Sequence, residues 1–245
     1  MRLDALLVEK GLAPSRSKAT ALIKGGHVVV MGENPKKIKP ALDVPEDADV
    51  IVTTTDLGYV SRGAEKLKAI LSPTGFEFKH KVVLDIGAST GGFTQLALEE
   101  GAQHVFAVDV GTGQLAEALK NDPKVTNIEK TDARNLTRKH IPTEPHVLLC
   151  DVSFISCTKI LPHVLETFPS ITDAFVLVKP QFELTRRDVG RGGIVRSIQR
   201  QLDALESVKT CLQACGLETP TFVKAPGGQK GGNQEFMLHG RKPTP

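Results

Sequence analysis

The stretch Val82-Val-Leu-Asp85-Ile-Gly87-Ala-Ser89-Thr-Gly91-Gly92-Phe93 runs from apolar residues through an acid into a glycine-dense turn. Glycine permits positive φ and lets a ligand approach the backbone where a Cβ would block it. A turn of this kind, feeding the positive end of a helix, suits a ligand that carries hydroxyls and charge. Four further charged residues stand at expected loop or strand-end positions: Lys66, Asp151, Lys179 and Glu235. Taken singly, each is of a type that ordinarily sits solvated at a surface. Asp151 and Lys179 end the fourth and fifth strands, which adjoin the glycine turn in a sheet of this kind, so both could face its ligand.

Three chemistries can claim the turn. Gly87-Ala-Ser89-Thr-Gly91 has the spacing of a hydrolase nucleophile elbow, with His163 or His239 downstream as a partner. However, Val82–Ile86 reads as the first strand of its sheet, and nothing upstream resembles an oxyanion-hole glycine run. Gly111-Thr-Gly113-Gln-Leu-Ala116 fits a dinucleotide fingerprint, with Asp132 at about the right distance, but leaves the richer first turn without a role. The third reading uses both turns. Asp109 follows Asp85 by 24 residues, at the end of the next strand, where a carboxylate accepts hydrogen bonds from both ribose hydroxyls. Asp132 and Ala133 follow the third strand, where an adenine ring would be held. No lysine-bearing phosphate loop is present, so the site suits a nucleoside with a cationic sulfonium, S-adenosylmethionine. The cofactor contacts expected are Asp85, Gly87, Ser89, Gly91, Gly92, Phe93, Asp109, Asp132 and Ala133.

These residues need elements to position them. From Val82 onward, strands are expected near 82–86, 104–109, 125–128, 146–150, 174–178, 217–224 and 234–239. Helices fit between them near 92–100, 113–120, 155–167 and 197–214. Such alternation implies an α/β fold with a parallel, doubly wound, Rossmann-like sheet and ligands at the carboxyl ends of its strands. Two stretches read as long mobile loops: Gln181 to Val195, which holds Arg186, Arg187, Arg191 and Gly192-Gly193, and the glycine-rich Ala225 to Asn233. The first 55 residues read differently. A helical period over Arg2–Lys10 is followed by a second helix to Lys24, capped by Ser15 or Ser17. Short strands are expected at His27–Met31 and Val50–Thr54. The chain thus divides into an α+β module, 1–58, and a larger domain, 59–245, with Thr55–Arg62 as connector.

Composition bounds the rest. The chain has 245 residues, 40% of them hydrophobic and 24% charged, which is ordinary for a soluble globular protein. No apolar run approaches the ~18 residues of a membrane span, and no signal peptide opens the chain, so a cytoplasmic protein is expected. The four cysteines form no Cys-x-x-Cys pair and the seven histidines no ligand spacing, so structural thiols and no metal site are expected. Net charge is only +3, but its distribution is uneven. Lys10 to Lys39 holds seven Lys or Arg against one acid, and Asp43 to Asp56 holds five acids and no base. The basic stretch is a candidate phosphate-binding face.

The residues Arg2-Leu3-Asp4 with Leu7, then Ser15-Arg16-Ser17, Ala19, Leu22-Ile23, Gly26, Val28 and Val30, resemble the small RNA-binding domain shared with a ribosomal small-subunit protein, the S-four-like domain. Arg2, Arg16, Lys18, Lys24, Lys36 and Lys37, with Arg62 from the connector, are the expected RNA contacts. Phosphate contacts of this kind give affinity rather than sequence specificity. The words Ser61-Arg-Gly-Ala-Glu-Lys66-Leu, Asp85-Ile-Gly-Ala-Ser-Thr-Gly-Gly-Phe-Thr94, Asp109-Val-Gly-Thr-Gly-Gln-Leu115, Asp151-Val-Ser-Phe-Ile-Ser156 and Val178-Lys-Pro-Gln-Phe-Glu183 are similar to those of the TlyA family. That family joins the small RNA-binding domain to an FtsJ-like ribose 2′-O-methyltransferase domain.

The resemblance implies S-adenosylmethionine-dependent methylation of cytidine ribose in ribosomal RNA, with ribosomal RNA or a subunit as partner. It makes Lys66, Asp151, Lys179 and Glu235 the Lys-Asp-Lys-Glu catalytic set. An ordinary lysine is protonated at neutral pH, and a second ammonium or burial favours its neutral form. Lys179 is therefore the expected base, with Lys66, Asp151 and Glu235 orienting it and the hydroxyl. The chain looks like the shorter form of the family, for which large-subunit RNA alone is the expected substrate. Proteins of the family also carry the label haemolysin, so a membrane-active protein is one alternative. An RNA-binding assembly factor without catalysis is another.

Overall fold

The computed structural model describes the chain except for Pro14, residues 54–58, 228–231 and 244–245, and the side chain of Ser17. The end of the second expected strand, Thr54, the expected connector residues Thr55 to Gly58, and Gly228 to Gly231 of the glycine-rich stretch lie outside the described residues. The protein divides into two compact units, Met1–Gly58 and Tyr59–Pro245.

In the first unit, α1 (Leu3–Glu9) and α2 (Arg16–Lys24) pack on an antiparallel pair, β1 (Val28–Val30) and β2 (Val50–Val52). Ser15 caps α2 by accepting from the Lys18 amide. Leu3, Leu6 and Leu7 from one helix and Ala19, Leu22 and Ile23 from the other meet Val28, Val30 and Val50 in one core. The apolar spacing of both helices is what builds it.

The second unit opens with a helix where a loop position is expected for Lys66. This is α3 (Gly63–Thr74), whose Ala64, Leu67, Ile70 and Leu71 are buried at helical spacing. Lys66 therefore sits in the first turn of a helix. There follow β3 (Val82–Ile86), α4 (Gly92–Glu99), β4 (His104–Val108), α5 (Glu117–Lys120), β5 (Val125–Ile128), β6 (Val147–Cys150), α6 (Leu161–Thr167), β7 (Asp173–Val178), α7 (Pro180–Glu183), α8 (Ile198–Ala214), β8 (Glu218–Lys224) and β9 (Phe236–Arg241). The expected helix near 113–120 is shorter, because Gly111 to Ala116 forms a turn instead. The helix expected near 155–167 is split into a 3₁₀ turn, Cys157–Lys159, and α6. The supposed loop after Gln181 carries α7 and a tight turn at Arg191–Gly193.

The seven strands of this unit lie in the order β5-β4-β3-β6-β7-β9-β8. The first five are parallel, whereas β9 runs antiparallel to both β7 and β8. The fold is thus the expected α/β one, with an antiparallel hairpin completing a mostly parallel sheet. Strand order reverses direction at β3, which places the switch-point crevice at the carboxyl ends of β3, β4 and β6. Strand alternation decides which side chains face which layer. On β3, Val82, Leu84 and Ile86 enter one core with α6 and α8, while Val83 enters the other, beneath α3 and α4.

Candidate active site

Gly87 opens the glycine turn. Its φ is +79°, and a Cβ there would lie 2.5 Å from the Asp151 carbonyl oxygen. Only glycine lets the β3 turn pass this close to the end of β6. Gly91, also at positive φ, occupies the N-cap of α4, and no side chain caps that helix. Its missing Cβ makes room for Leu115 and Leu119 instead of for a ligand.

Around the turn lies a cleft of about 650 Å³, lined among others by Gly87, Ser89, Asp109, Val110, Ala133 and Ile155. A smaller recess of about 180 Å³ shares Gly87, Ser89, Asp151 and Ser153 with it and adds Gly92, Phe93 and Lys179. The larger volume suits a nucleoside-sized ligand. The Asp109 carboxylate is fixed at the cleft wall: one oxygen accepts from the Ser89 amide at 2.8 Å, the other from the Gly111 amide at 2.7 Å. Each oxygen keeps a lone pair, so the acid can still accept from a diol. Asp132 also lines the cleft, but Arg134 forks onto its carboxylate and holds its pKa below the usual range. This donor set, an acid beside apolar Val110, Ala133, Ile155 and Ile160, fits an adenosine-like group.

The expected cofactor contacts divide. Gly87, Ser89, Asp109, Asp132 and Ala133 line the cleft, while Gly92 and Phe93 reach only the recess, and Phe93 is largely a core residue. Asp85 and Gly91 line neither. The alternation of β3 points Asp85 inward with Val83, fully buried, where its Oδ2 accepts from Thr94 Oγ1 at 2.6 Å. Its Oδ1 has no hydrogen-bond partner among the described residues. Burial pushes its pKa up to about 7, against the Thr94 hydrogen bond and with help from the Asp151 charge. As for the elbow reading, Ser89 Oγ bonds Gln114 rather than a histidine. His163 bonds the Leu136 carbonyl, and His239 bonds Asp173 while stacking on Phe175.

Lys179 follows β7 and is almost buried. Its Nζ lies 2.5 Å from Asp151 Oδ1 and donates to Ser153 Oγ at 2.8 Å. Asp151 and Ser153 are two residues apart past the end of β6. That spacing is the available signal for Ser153, which is not among the expected site residues. Lys66 pairs with Glu235 at 2.6 Å, across 169 positions of sequence. Each ammonium is thus matched with a carboxylate, and Lys66 does not act on Lys179 as an uncompensated charge. The aromatic ring of Phe154, 91% exposed, stands at the cleft rim 5.2 Å from that of Phe182. It too lies outside the expected set.

In the first unit, Arg2 and Arg16 both bond the buried Asp4 carboxylate and hold its pKa down at about 2. Their exposed faces still point to solvent, as do Lys24, Lys36 and Lys37; Lys18 is half-buried. Arg62 is exposed at the N-cap of α3 in the second unit. All four cysteines are free thiols; burial pushes the pKa of Cys150 and Cys157 upward, as befits structural residues. Among the described residues there is no cluster able to hold a metal ion, and no helix is long and apolar enough to cross a membrane.

Residues 59–242 match the FtsJ-like methyltransferase family and residues 1–50 the S4 domain. The chain is 40% identical, over 99% of its length and 90% of the relative's, to the 16S/23S rRNA (cytidine-2′-O)-methyltransferase TlyA of Mycobacterium tuberculosis. It is 33% identical, over 98% of its length and 99% of the relative's, to the 23S rRNA (cytidine-2′-O)-methyltransferase TlyA of Campylobacter jejuni. Among solved structures, a hemolysin-designated protein from Streptococcus thermophilus aligns over all of this chain and 90% of its own, with 33% identity and a TM-score of 0.73. An RNA-binding-type module followed by a methyltransferase sheet, matched end to end by such relatives, makes this chain a member of the TlyA family of FtsJ-like methyltransferases.

Proposed function

We propose that this protein transfers a methyl group from S-adenosylmethionine to the ribose 2′-hydroxyl of a cytidine in ribosomal RNA. The observation that carries the reading is Lys179, held between Asp151 and Ser153 in a recess that opens from the cofactor-sized cleft. Bound in that cleft, S-adenosylmethionine supplies an activated methyl group on a sulfonium. The protein's own task is then to bind the diol, align the attacking hydroxyl and receive its proton.

Asp109 accepts from the ribose hydroxyls of the cofactor, with the Ser89 and Gly111 amides holding it in place. Lys179 Nζ, once it has released its own proton to solvent, takes the proton of the attacking hydroxyl. Asp151 holds that nitrogen and balances the charge it gains, while Ser153 fixes its direction. Lys66 and Glu235, paired with each other, orient the substrate ribose and keep the strand end of Lys179 in register. The basic side chains of the first unit and Arg62 bind phosphates of the RNA. Residues 1–58 and 59–245 act as the RNA-binding and catalytic domains.

Large-subunit RNA is the substrate favoured, because the names of both TlyA relatives include it. The narrower form of the proposal has small-subunit RNA left unmodified. The test is transfer of labelled methyl to purified, unmodified subunits, followed by mapping of the modified ribose. A 2′-O-methylated cytidine in large-subunit RNA alone is expected. Label in small-subunit RNA would overturn the narrower form, and no label in either would overturn the function. The hemolysin designation of a relative supports a second reading, membrane action, which lysis of erythrocytes by the purified, cofactor-free protein would establish.

A further inference from the structure

The segment between α7 and α8 carries a charge excess that the reaction outlined above does not use. Arg186, Arg187, Arg191 and Arg196 are all exposed, and none of the four has an ion-pair partner among the described residues. The carboxylates of the same stretch are engaged elsewhere. Glu183 accepts from Ser156 Oγ and from the Cys157 amide. Asp188 accepts from Thr185 Oγ1 and pairs with Arg200. The positive charge of the four guanidiniums is therefore left facing outward.

Both ends of this segment are fastened to the strand ends that hold Lys179 and Glu235. It begins with α7, which directly follows Lys179. At the far end, Asn233 grips it with both atoms of its amide: Oδ1 accepts from the Val195 amide and Nδ2 donates to the Gly193 carbonyl, each at 2.7 Å. Asn233 lies two residues before Glu235. Gln201 Nε2 adds a bond to the Val195 carbonyl, and Gly190 and Ile194 close the tight turn that presents Arg191. A solvated arginine cluster needs no such fastening. Four exposed guanidinium forks on a segment fastened next to Lys179 and Asn233 match the spaced oxygens of a nucleic-acid backbone, which arginine binds bidentately.

We infer that residues 184–196 form a phosphate clamp on the methyltransferase unit, gripping the single-stranded RNA backbone beside the reacting ribose, with Asn233 as the positioning residue that sets the clamp against Glu235. The inference rests on an RNA substrate, as in the proposed function, but not on which RNA is modified. It adds a second RNA-binding surface to that of the first unit.

The test uses the full-length protein and unmodified large subunits. One arm is steady-state methylation. The other is filter binding of a single-stranded ribosomal RNA fragment, with S-adenosylhomocysteine present, across a salt series. With Arg186, Arg187, Arg191 and Arg196 all changed to Gln, KM for the subunit should rise about tenfold or more, while kcat stays within about twofold. The log–log salt slope of RNA binding should flatten by about 0.7 for each phosphate that is no longer neutralised. The quadruple Arg→Lys variant should recover most of that slope, because the charges return without the fork. Asn233→Ala should raise KM in the same direction, with melting temperature and S-adenosylhomocysteine affinity kept. An unchanged KM and salt slope in the Gln variant would overturn the clamp, and so would a loss confined to kcat. If the wild type binds RNA through these arginines yet transfers no methyl, the proposed function fails and the clamp stands.

Discussion

Lys179 and Glu235 stand opposite each other, one step beyond Val178 and Phe236, the last registered pair of the antiparallel β7–β9 ladder. Facing positions on such a ladder have Cα atoms about 5 Å apart. Yet neither residue takes the other as its ion-pair partner: Lys179 reaches back to Asp151 at the end of β6, and Glu235 reaches across to Lys66 on α3. Two neighbouring strand ends thus collect charges from four separate elements, and one of the two ion pairs, Lys179–Asp151, lines the recess.

The first prediction concerns Lys179. Its replacement by Ala should lower single-turnover methyl transfer by about 10²–10⁴-fold, the usual contribution of a general base. Affinity for S-adenosylhomocysteine, measured by calorimetry, should be retained. Full single-turnover activity in the variant would remove Lys179 from the role of base.

The Lys66–Glu235 pair should behave as a unit. Lys66→Met leaves a half-buried carboxylate without its partner, and Glu235→Gln leaves the ammonium so. The double variant should be less impaired than the sum of the two single changes, with a coupling energy of about 0.5–3 kcal/mol. A double-mutant cycle on stability and on kcat/KM measures it. Strict additivity would mean the two side chains do not interact in solution.

Asp109 carries the cofactor prediction. Asp109→Ala removes the acceptor for two ribose hydroxyls and also frees the Ser89 and Gly111 amides. Charge-assisted bonds of this kind contribute about 1.5–3 kcal/mol each, so cofactor affinity should fall at least tenfold. Asp132→Ala should cost less, because Arg134 already occupies that carboxylate. Equal losses for the two variants in a calorimetric titration would show that the ribose is not held at Asp109.

Asp85 makes stability depend on pH. An aspartate titrates near 3.8 in the unfolded chain, whereas burial raises its pKa to about 7 in the folded protein. Between those values the folded state holds a proton that the unfolded state has released. Its contribution is therefore fully present below about pH 4 and is lost as pH rises toward 7, at up to about 1.4 kcal/mol per pH unit. Asp85→Asn, which keeps an acceptor for Thr94, should flatten the stability profile over that window and raise the melting temperature above pH 7. A variant whose melting temperature falls at pH 8 would show that the ionised carboxylate is needed for the fold.

Much of this site was legible in the residues themselves. The glycine turn, Asp109 and the strand ends at Asp151 and Lys179 could be located because a parallel α/β sheet puts ligands at its carboxyl edge, and local patterns are enough to find those edges. Asp85 shows the limit of such reasoning. Its place in the motif made it an expected cofactor contact, but strand alternation turns it away from the cleft and against Thr94. Alternation was visible in the sequence; the layer lying on each face of β3 was not.

Three further features depended on distant pairings. The helix α3 was missed although its apolar residues have helical spacing; the layer they pack on includes β8 and β9, far along the chain. The antiparallel insertion of β9 between β7 and β8 leaves no trace in local periodicity, and without it Glu235 cannot be set opposite Lys179. Asn233 reads in sequence as one more loop residue, and only the folded chain shows its amide gripping the arginine segment. By itself, the sequence determined most element types, the glycine turn and the positions of the four charged residues, because short-range periodicity and spacing encode them. Only the tertiary structure decided who pairs with whom, since ion pairs across 169 positions and strand order in a sheet depend on the global packing of the core.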